Sequence, residues 1–108
     1  ELTSEGKTVI QGIAKGLLDV LDTGDVIMVS GFTDDTPIKS EIYTNWNLSA
    51  ERAVNVVKTL IGLGFPPERL FAAGFGEFHP KVPNTSEENR RLNRRVEIGV
   101  TPIRKMEK

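Results

Sequence analysis

Two short apolar runs separated by an amphipathic helix constrain the fold of this chain more than any other feature. Residues 26–31 form a nearly continuous apolar run with β-branched side chains, and residues 69–74 form a second one. Between them, the spacing of apolar residues predicts a helix that begins between Asn47 and Ser49 and stops near Gly62. Parallel strands need such a crossover, and it is nearly always right-handed. The sequence therefore predicts one βαβ unit with parallel strands.

The remaining elements complete an α+β domain. Apolar residues recur at helical spacing over residues 4–21, and Thr3 is placed to cap that helix. Further along, the Thr85-x-x-Glu88 spacing predicts a capping box for a short helix, and alternating apolar residues predict a half-buried strand over residues 94–100. The order αβαβαβ, with helices on one face of a mixed sheet and an antiparallel last strand, predicts a two-layer α/β sandwich.

Length and composition limit the classes of function. The 108 residues suffice for one domain, which we expect to span residues 1–102, with a tail at 103–108. A balance of 14 basic and 15 acidic side chains gives no overall field that would draw the chain onto nucleic acid. The absence of cysteine excludes disulfides and thiolate chemistry. Because the apolar stretches are far shorter than the roughly 18 residues of a membrane span, we expect any membrane anchor to lie outside this sequence.

Opposite charges follow the first strand and open the next helix. Residues 32–47 are polar and aperiodic, which predicts a long loop that carries Asp34, and Arg52 lies in the first turns of the following helix. Ligands in α/β units gather beyond the carboxyl ends of strands and at helix N-termini. A carboxylate and a guanidinium there suit a small group that carries both an ammonium and a carboxylate. The alternative, which residue types alone favour, is an internal Asp34–Arg52 salt bridge.

Other polar residues carry weaker indications. Asp34 and Asp35 form a carboxylate pair, but without further clustered oxygen ligands they are poor evidence for a metal site or for acid–base catalysis. No nucleophile motif accompanies His79, the only histidine, so we expect no catalytic role for it. Gly74-x-Gly76 lacks the third glycine of a phosphate-binding fingerprint, and we expect its glycines to serve backbone turns.

Two further sets of side chains have both a structural and a binding interpretation. Four arginines form a basic cluster, but the acidic residues among them favour a solvated helix face with ion pairs, from which one arginine can still reach the pocket of Asp34. Tyr43 and Trp46 either pin the long loop to the core or offer a stacking surface, and pinning is the preferred interpretation. The basic cluster consists of Arg90, Arg91, Arg94 and Arg95.

Four ordered motifs, between about residue 8 and residue 100, resemble the OmpA-like peptidoglycan-binding domain. They are Thr33-Asp34, Leu48-Ser49-x-x-Arg52-Ala53, Gly74-x-Gly76 with Pro80, and Asn84 with Arg90-x-x-Asn93-Arg94-Arg95-Val96-Glu97. Within this family, the long loop is similar to that of the B subunits of the bacterial flagellar stator, of MotB and PomB type. It is shorter in outer-membrane and lipoprotein members. The chain departs from the family at Phe32, where histidine is usual, and at Asn89, where glycine is usual.

The resemblance implies a non-enzymatic periplasmic domain that binds the meso-diaminopimelate of the peptidoglycan stem peptide, with no metal and no cofactor. It implies that Asp34 accepts hydrogen bonds from the diaminopimelate ammonium and that Arg52 binds its carboxylate. The other pocket residues that it implies are Thr33 at the edge, Asn45, Leu48, and one of Arg94 or Arg95.

The family further implies an anchoring role in the flagellar motor. It implies a homodimer that works with a stator A subunit of MotA or PomA type, and a transmembrane helix and plug upstream of Glu1 that make the whole protein a single-pass inner-membrane protein. The first strand of the family fold is expected to be missing or truncated. The overall likeness to stator B subunits favours a stator of the sodium-driven type. The alternatives are a Pal-type or OmpA-type outer-membrane tether, a wall-peptide hydrolase acting through Asp34, Asp35 or His79, and an assembly module whose basic cluster binds a protein.

Overall fold

Helices and strands alternate along the chain in the computed structural model, which describes residues 4–17 and 25–101. The elements, in chain order, are α1 (Ser4–Leu17), β1 (Val26–Gly31), α2 (Asn45–Gly62), β2 (Leu70–Gly74), α3 (Glu87–Asn93) and β3 (Val96–Thr101), with a 3-10 turn at Pro67–Arg69. This order confirms the predicted αβαβαβ arrangement. Among the helices of the described residues, none is long and apolar enough to cross a membrane.

β1 is the central strand of the sheet that the described strands form, in the order β2–β1–β3. It pairs in parallel with β2, with Ile27 opposite Leu70, and antiparallel with β3, with Val29 opposite Ile98. The βαβ unit and the antiparallel last strand are therefore confirmed. Both long helices pack on one face of the sheet, because a single core joins residues from α1, α2 and β1. That core contains Ile10, Ala14, Ile27, Val29, Ala53, Val56, Leu60 and Phe65.

Two glycines that face each other across β1 and β2 let α2 lie directly on the sheet. Gly31 is opposite Gly74 in the parallel register. A Cβ atom at Gly31 would overlap the carbonyl oxygen of Ser49, and one at Gly74 would lie 2.7 Å from the backbone nitrogen of Ala50. Because only glycine fits beneath this part of the helix, the first turns of α2 are held against the carboxyl ends of both strands. This is the edge of the sheet at which the sequence predicts a site.

The predicted starts of the two helices that border the site need correction. α2 begins at Asn45, ahead of the predicted start, because Thr44 caps it and its backbone N–H donates to Asn47 Oδ1 at 2.8 Å. The predicted capping box at Thr85 is wrong. The N-cap of α3 is Ser86, whose hydroxyl accepts a backbone hydrogen bond of 3.1 Å from the first turn.

The strands also begin later than predicted, and some expectations fall outside the described residues. β2 begins at Leu70 because Arg69 belongs to the preceding 3-10 turn, and β3 begins at Val96 because Arg94 is the C-cap of α3. Residues 18–21 of the predicted first helix, its expected cap Thr3 and the expected tail at 103–108 lie outside the described residues.

Candidate functional site

The loops that follow β1 and β2 are joined to each other and to the start of β3 by backbone hydrogen bonds. Thr33 N–H donates to the carbonyl of Gly76 at 3.0 Å, and Phe32 N–H donates to the carbonyl of Arg95 at 2.9 Å. Thr33 is buried, and its hydroxyl donates to the carbonyl of Asp34 at 2.9 Å. The start of the long loop is therefore a fixed extension of the sheet, on which Asp34 has a set position.

Asp34 is a buried carboxylate with only 6% of its surface exposed. Its Oδ2 accepts a hydrogen bond from Arg94 Nη1 at 2.6 Å, and its Oδ1 accepts one from the Thr36 backbone N–H at 2.9 Å. Burial by itself raises the pKa of Asp34, but the hydrogen bonds from Thr36 and Arg94 together outweigh it, so this pKa lies below its usual value. Asp34 is thus held as an anion, and each oxygen keeps a lone pair for a further donor.

Arg90 of α3 and Arg94, the C-cap of that helix, tie the long loop to the rest of the domain. Arg94 bridges Asp34 and Glu87, with Nη2 2.9 Å from Glu87 Oε2, and Arg90 Nε donates to Asp35 Oδ1 at 2.9 Å. Each carboxylate of the Asp34–Asp35 pair therefore faces an arginine. Among the described residues, no three histidine or carboxylate side chains cluster so as to hold a metal ion. The ion pairs agree with the structural interpretation of the basic cluster.

One stripe of α2 borders the same edge. Asn45, Leu48 and Arg52 are separated by three and four positions, so they lie along one side of the helix. Asn45 is buried, and its Nδ2 donates to the carbonyl of Thr36 at 3.1 Å and to Glu77 Oε1 at 2.8 Å. Asn45 therefore joins the helix to both loops, while Leu48 and Arg52 continue the stripe as half-buried side chains.

Arg52 is not the ionic partner of Asp34. The anticipated Asp34–Arg52 salt bridge is wrong, because Asp34 pairs with Arg94, and in the described part of the chain Arg52 makes no ion pair. The charge of Arg52 nevertheless affects the pKa of the neighbouring Tyr43. The pKa of Tyr43 is raised chiefly by the hydrogen bond of its hydroxyl to Glu51, at 2.8 Å, and the positive charge of Arg52 opposes that rise. A guanidinium without a carboxylate partner therefore stands close to the long loop.

Arg95 has a different environment from Arg94. Its guanidinium carbon lies 3.8 Å from the centre of the Phe32 ring, and Phe32 stacks in turn on Phe75 at 4.9 Å. Arg95 Nε donates to Glu97 Oε2 at 2.7 Å, and Nη2 donates to the carbonyl of His79 at 3.2 Å. Of the two arginines between which the sequence could not choose, Arg94 is therefore the one in contact with Asp34.

Asn93 holds the loop in front of α3, a role that was not predicted. It is fully buried, and its Oδ1 accepts from the backbone N–H groups of Lys81 and Val82 at 2.8 and 3.1 Å. Its Nδ2 donates to the carbonyl of Val82 and to Asn84 Oδ1, both at 2.8 Å. Asn93 belongs to one of the motifs that support the family resemblance. The sequence around it does not indicate that it is buried, because its neighbours include several arginines.

Ser49 and Gly76 fix the second loop to α2. The backbone N–H of Gly76 donates to the buried Ser49 hydroxyl at 2.9 Å, and Gly76 has a positive φ of 66°. The predicted turn role of this glycine is confirmed. The same loop seats the Trp46 ring, which lies in the first turn of α2 with 51% of its surface exposed. The expectation that Trp46 pins the loop to the core is therefore wrong.

Comparisons with known proteins identify the family of this chain. The model of the OmpA family matches residues 1–94. The chain is 43% identical over 90 residues to a motility protein B of Helicobacter pylori and 45% identical over 78 residues to a motility protein B of Bacillus subtilis, which covers 82% and 70% of this chain. These matches span 35% and 30% of the two relatives, so the chain corresponds to about a third of their length.

Solved structures give the same result. The C-terminal domain of Helicobacter pylori MotB superposes with a TM-score of 0.84 at 38% identity, covering 94% of this chain and 76% of that one. The cell wall anchor of a type VI secretion system from Pseudomonas aeruginosa superposes with a TM-score of 0.79 at 32% identity, covering 94% and 70%. The resemblance that the motifs indicate and the α+β fold are both confirmed.

Proposed function

Because this chain belongs to the OmpA family, we propose that it is a periplasmic domain that binds peptidoglycan and anchors the stator of the flagellar motor to the cell wall. The family is one of non-enzymatic domains, in agreement with the prediction that the chain is not an enzyme. The observation that carries the proposal is Asp34, a buried carboxylate kept in its charged form beside a helix stripe that carries the unpaired guanidinium of Arg52.

The ligand in this proposal is the zwitterionic end of diaminopimelate. Its ammonium donates to Asp34, whose oxygens each have spare acceptor capacity, and its carboxylate accepts from the fork of Arg52. Arg94 keeps Glu87 as a second partner, so it can yield part of its hold on Asp34 without losing all its hydrogen bonds. Thr33, Asn45 and Leu48 line the pocket in this arrangement, and Arg95 supports it from the other side of the loop.

Binding of one stem peptide is expected to be weak. Charge-assisted hydrogen bonds contribute about 1.5 to 3 kcal/mol each, and association costs offset much of that. A dimer that faces a polymer with many stem peptides binds it more tightly than one domain binds one stem peptide, because the effective concentration of stem peptides is high. Single contacts can then dissociate and re-form while the dimer stays bound. For this reason we include in the proposal a homodimer and a stator A subunit of MotA type, joined through an inner-membrane span of the whole protein.

Sacculus pull-down tests this function. We expect Asp34→Asn and Arg52→Ala to lose sedimentation with purified peptidoglycan sacculi while their circular dichroism stays unchanged. Arg91→Ala is the matched control, because Arg91 is an exposed arginine on the neighbouring helix α3. Full binding by both folded variants would refute the site. Release of soluble wall fragments by the wild-type chain would instead support the hydrolase alternative.

A second wall-anchoring role has support of its own. The cell wall anchor of the type VI secretion system shares this fold at 32% identity. The same pocket chemistry would serve such a tether, and only the attached machine would differ. Motility of cells in which this domain replaces that of their own motility protein B would separate the two, since an anchor for another machine would leave those cells non-motile despite sacculus binding.

A further inference from the structure

The outer edge of β2 is an unpaired edge of the sheet that the described strands form. Leu70–Gly74 contains no charged residue and no proline, and its continuous register with β1 leaves no bulge. Edge strands of natural proteins commonly carry such features, because they block pairing with another chain. The edge of β2 is therefore open to a further strand.

The order of side chains along β2 is complementary to itself. If two copies of the strand pair antiparallel about Ala72, each large residue lies opposite a small one. The pairs are Leu70 with Gly74, Phe71 with Ala73, and Ala72 with its own copy. Phe71 is 39% exposed, and the two Phe71 rings become diagonal neighbours within reach of each other. A second copy of β2 therefore fits this edge without a steric clash.

The side of α2 beside this edge fits the same symmetry axis. The backbone of Ala50 lies against Gly74, and α2 runs opposite to β2 because it returns from the end of β1 to the start of β2. Counted from this contact, four helical residues rise about 6 Å and two strand residues span about 6.6 Å, so Val54 lies level with Ala72. Val54 and, two turns later, Ile61 are both more than a third exposed. Aliphatic side chains of α2 therefore flank the edge of β2.

Glu51 and Lys58 add charge complementarity about this axis. Glu51 lies three positions before Val54 and Lys58 four positions after it, so the three lie along one side of α2. Both charged residues are exposed. When two α2 helices lie antiparallel with Val54 near the axis, Glu51 of each copy comes beside Lys58 of the other. Because this match occurs twice in a symmetric pair, it favours a second copy over a different protein.

We propose that the outer edge of β2 and the adjoining side of α2 form the interface of a homodimer, in which the two sheets join antiparallel into one. This inference builds on the homodimer in the proposed function and assigns its surface, but it does not depend on what the residues around Asp34 bind. A strand of five residues alone is smaller than the roughly 800 Å² per partner of a standard interface, so the contacts of α2 are needed as well.

Single introduced cysteines test the strand pairing, because the chain contains no cysteine of its own. Ala72 lies opposite its own copy in this interface, with Cα atoms about 4.5 to 5.5 Å apart, which is the separation that a disulfide spans. We expect Ala72→Cys to form a covalent dimer under a mild oxidant, as seen by non-reducing electrophoresis. Val100→Cys, an exposed position on the other edge strand β3, should stay monomeric. Cross-linking of both variants to the same extent, or of neither, would overturn the inference.

A charge swap tests the helix contacts by sedimentation equilibrium. Lys58→Glu should raise the dissociation constant of the dimer about ten-fold, because two attractive contacts become repulsive. Adding Glu51→Lys should restore the constant to within about two-fold of wild type. Tyr43→Phe is the control, since it removes the hydrogen bond that Glu51 accepts and keeps both charges, and it should leave the constant unchanged. A swap that fails to restore the dimer would overturn the inference.

Sacculus pull-down distinguishes failure of this interface from failure of the proposed function. A wild-type chain that stays monomeric but sediments with sacculi would overturn the interface, leave the edge of β2 to a different partner and keep the site at Asp34. A chain that forms the dimer with the expected cross-link but does not sediment would support the interface and refute the proposed function.

Discussion

Two arginines adjacent in the sequence lie in two regions with different chemistry. Arg94 contacts the buried carboxylate of Asp34 and also donates to Glu87. Arg95 has its guanidinium carbon 3.8 Å from the centre of the Phe32 ring, and it donates hydrogen bonds to Glu97 and to the carbonyl of His79. We call these the charged region and the stacked region.

The different surroundings of Arg94 and Arg95 indicate which of the two is available to a ligand. In the stacked region the guanidinium is fixed by an aromatic face and nearby acceptors, and its role is to hold the loops together. In the charged region the guanidinium is one of several donors to a carboxylate that has room for more. Under the proposed function, the charged region therefore exchanges a partner, whereas the stacked region keeps its contacts.

The largest effect on stability should come from disrupting the packing of α2 on the sheet, which supports both regions. Gly31→Ala places a Cβ atom into the backbone of Ser49, so we expect a loss of at least about 3 kcal/mol in the free energy of unfolding, measured by urea denaturation. Gly99→Ala in β3 is the control, because no atom lies within 4 Å of its new Cβ. Similar stabilities of the two variants would contradict the close contact of α2 with the sheet.

The next largest effect should separate function from fold. Arg94→Ala removes the donor that orients Asp34, and we expect the affinity for a diaminopimelate tripeptide to fall about ten-fold or more, as measured by isothermal titration. Arg95→Ala should change that affinity by less than about two-fold. The reverse ranking of the two arginines would show that the stacked region, not the charged one, faces the ligand.

A smaller effect should appear in stability. Arg95→Ala loses the contact with Phe32, which is worth about 1 kcal/mol, and its melting temperature should fall by roughly 4 to 8 °C. Arg95→Lys should recover only part of the loss, because an ammonium cannot lie flat on the ring. Differential scanning calorimetry gives both values. An unchanged melting temperature in Arg95→Ala would remove the structural role assigned to the stacked region.

The smallest effect concerns pH. The pKa of Asp34 is lowered in the folded state, so its stabilisation is present above the unfolded value of about 3.9 and is lost as the pH falls through the lower folded value. The melting temperatures of wild type and Asp34→Asn should therefore differ at pH 7, begin to approach each other as the pH falls below about 4, and converge only below the folded pKa of Asp34. A difference that stays constant over this range would mean that Asp34 is not held as an anion.

Periodicity and turn residues were sufficient for the fold. The β-branched run at β1, the helix after it and the second apolar run specify a βαβ unit locally, and the structure contains it. The starts of the helices could be predicted less well than the helices themselves, because a cap depends on side-chain geometry. Thr44 caps α2, and Ser86 rather than Thr85 caps α3. Several Ser, Thr and Asn residues near the start of each helix could have taken the capping position.

The site could be predicted only in part. Asp34 and Arg52 are candidates because of their places after a strand and at the start of a helix, whereas Asn45 and Leu48 were implied only by the family resemblance. Asn45 was expected in the long loop, but it opens α2. The arginine at Asp34 could be narrowed only to Arg94 or Arg95, since both lie about sixty positions away in the sequence and the folded sheet decides which of them reaches Asp34. For Trp46 the less favoured of the two interpretations, an exposed ring, agrees with the structure, because an aromatic residue in a sequence gives no sign of whether it is buried.

In the proposed function, an anion at Asp34 and a cation at Arg52 together recognise a group that carries both charges. Lysine in a stem peptide keeps the ammonium of diaminopimelate but lacks its carboxylate, so titration of the two tripeptides isolates the second contact. Wild type should prefer the diaminopimelate peptide by about ten-fold or more, and Arg52→Ala should bind both peptides equally. Equal affinity of wild type for the two peptides, or a preference that survives in Arg52→Ala, would contradict the account.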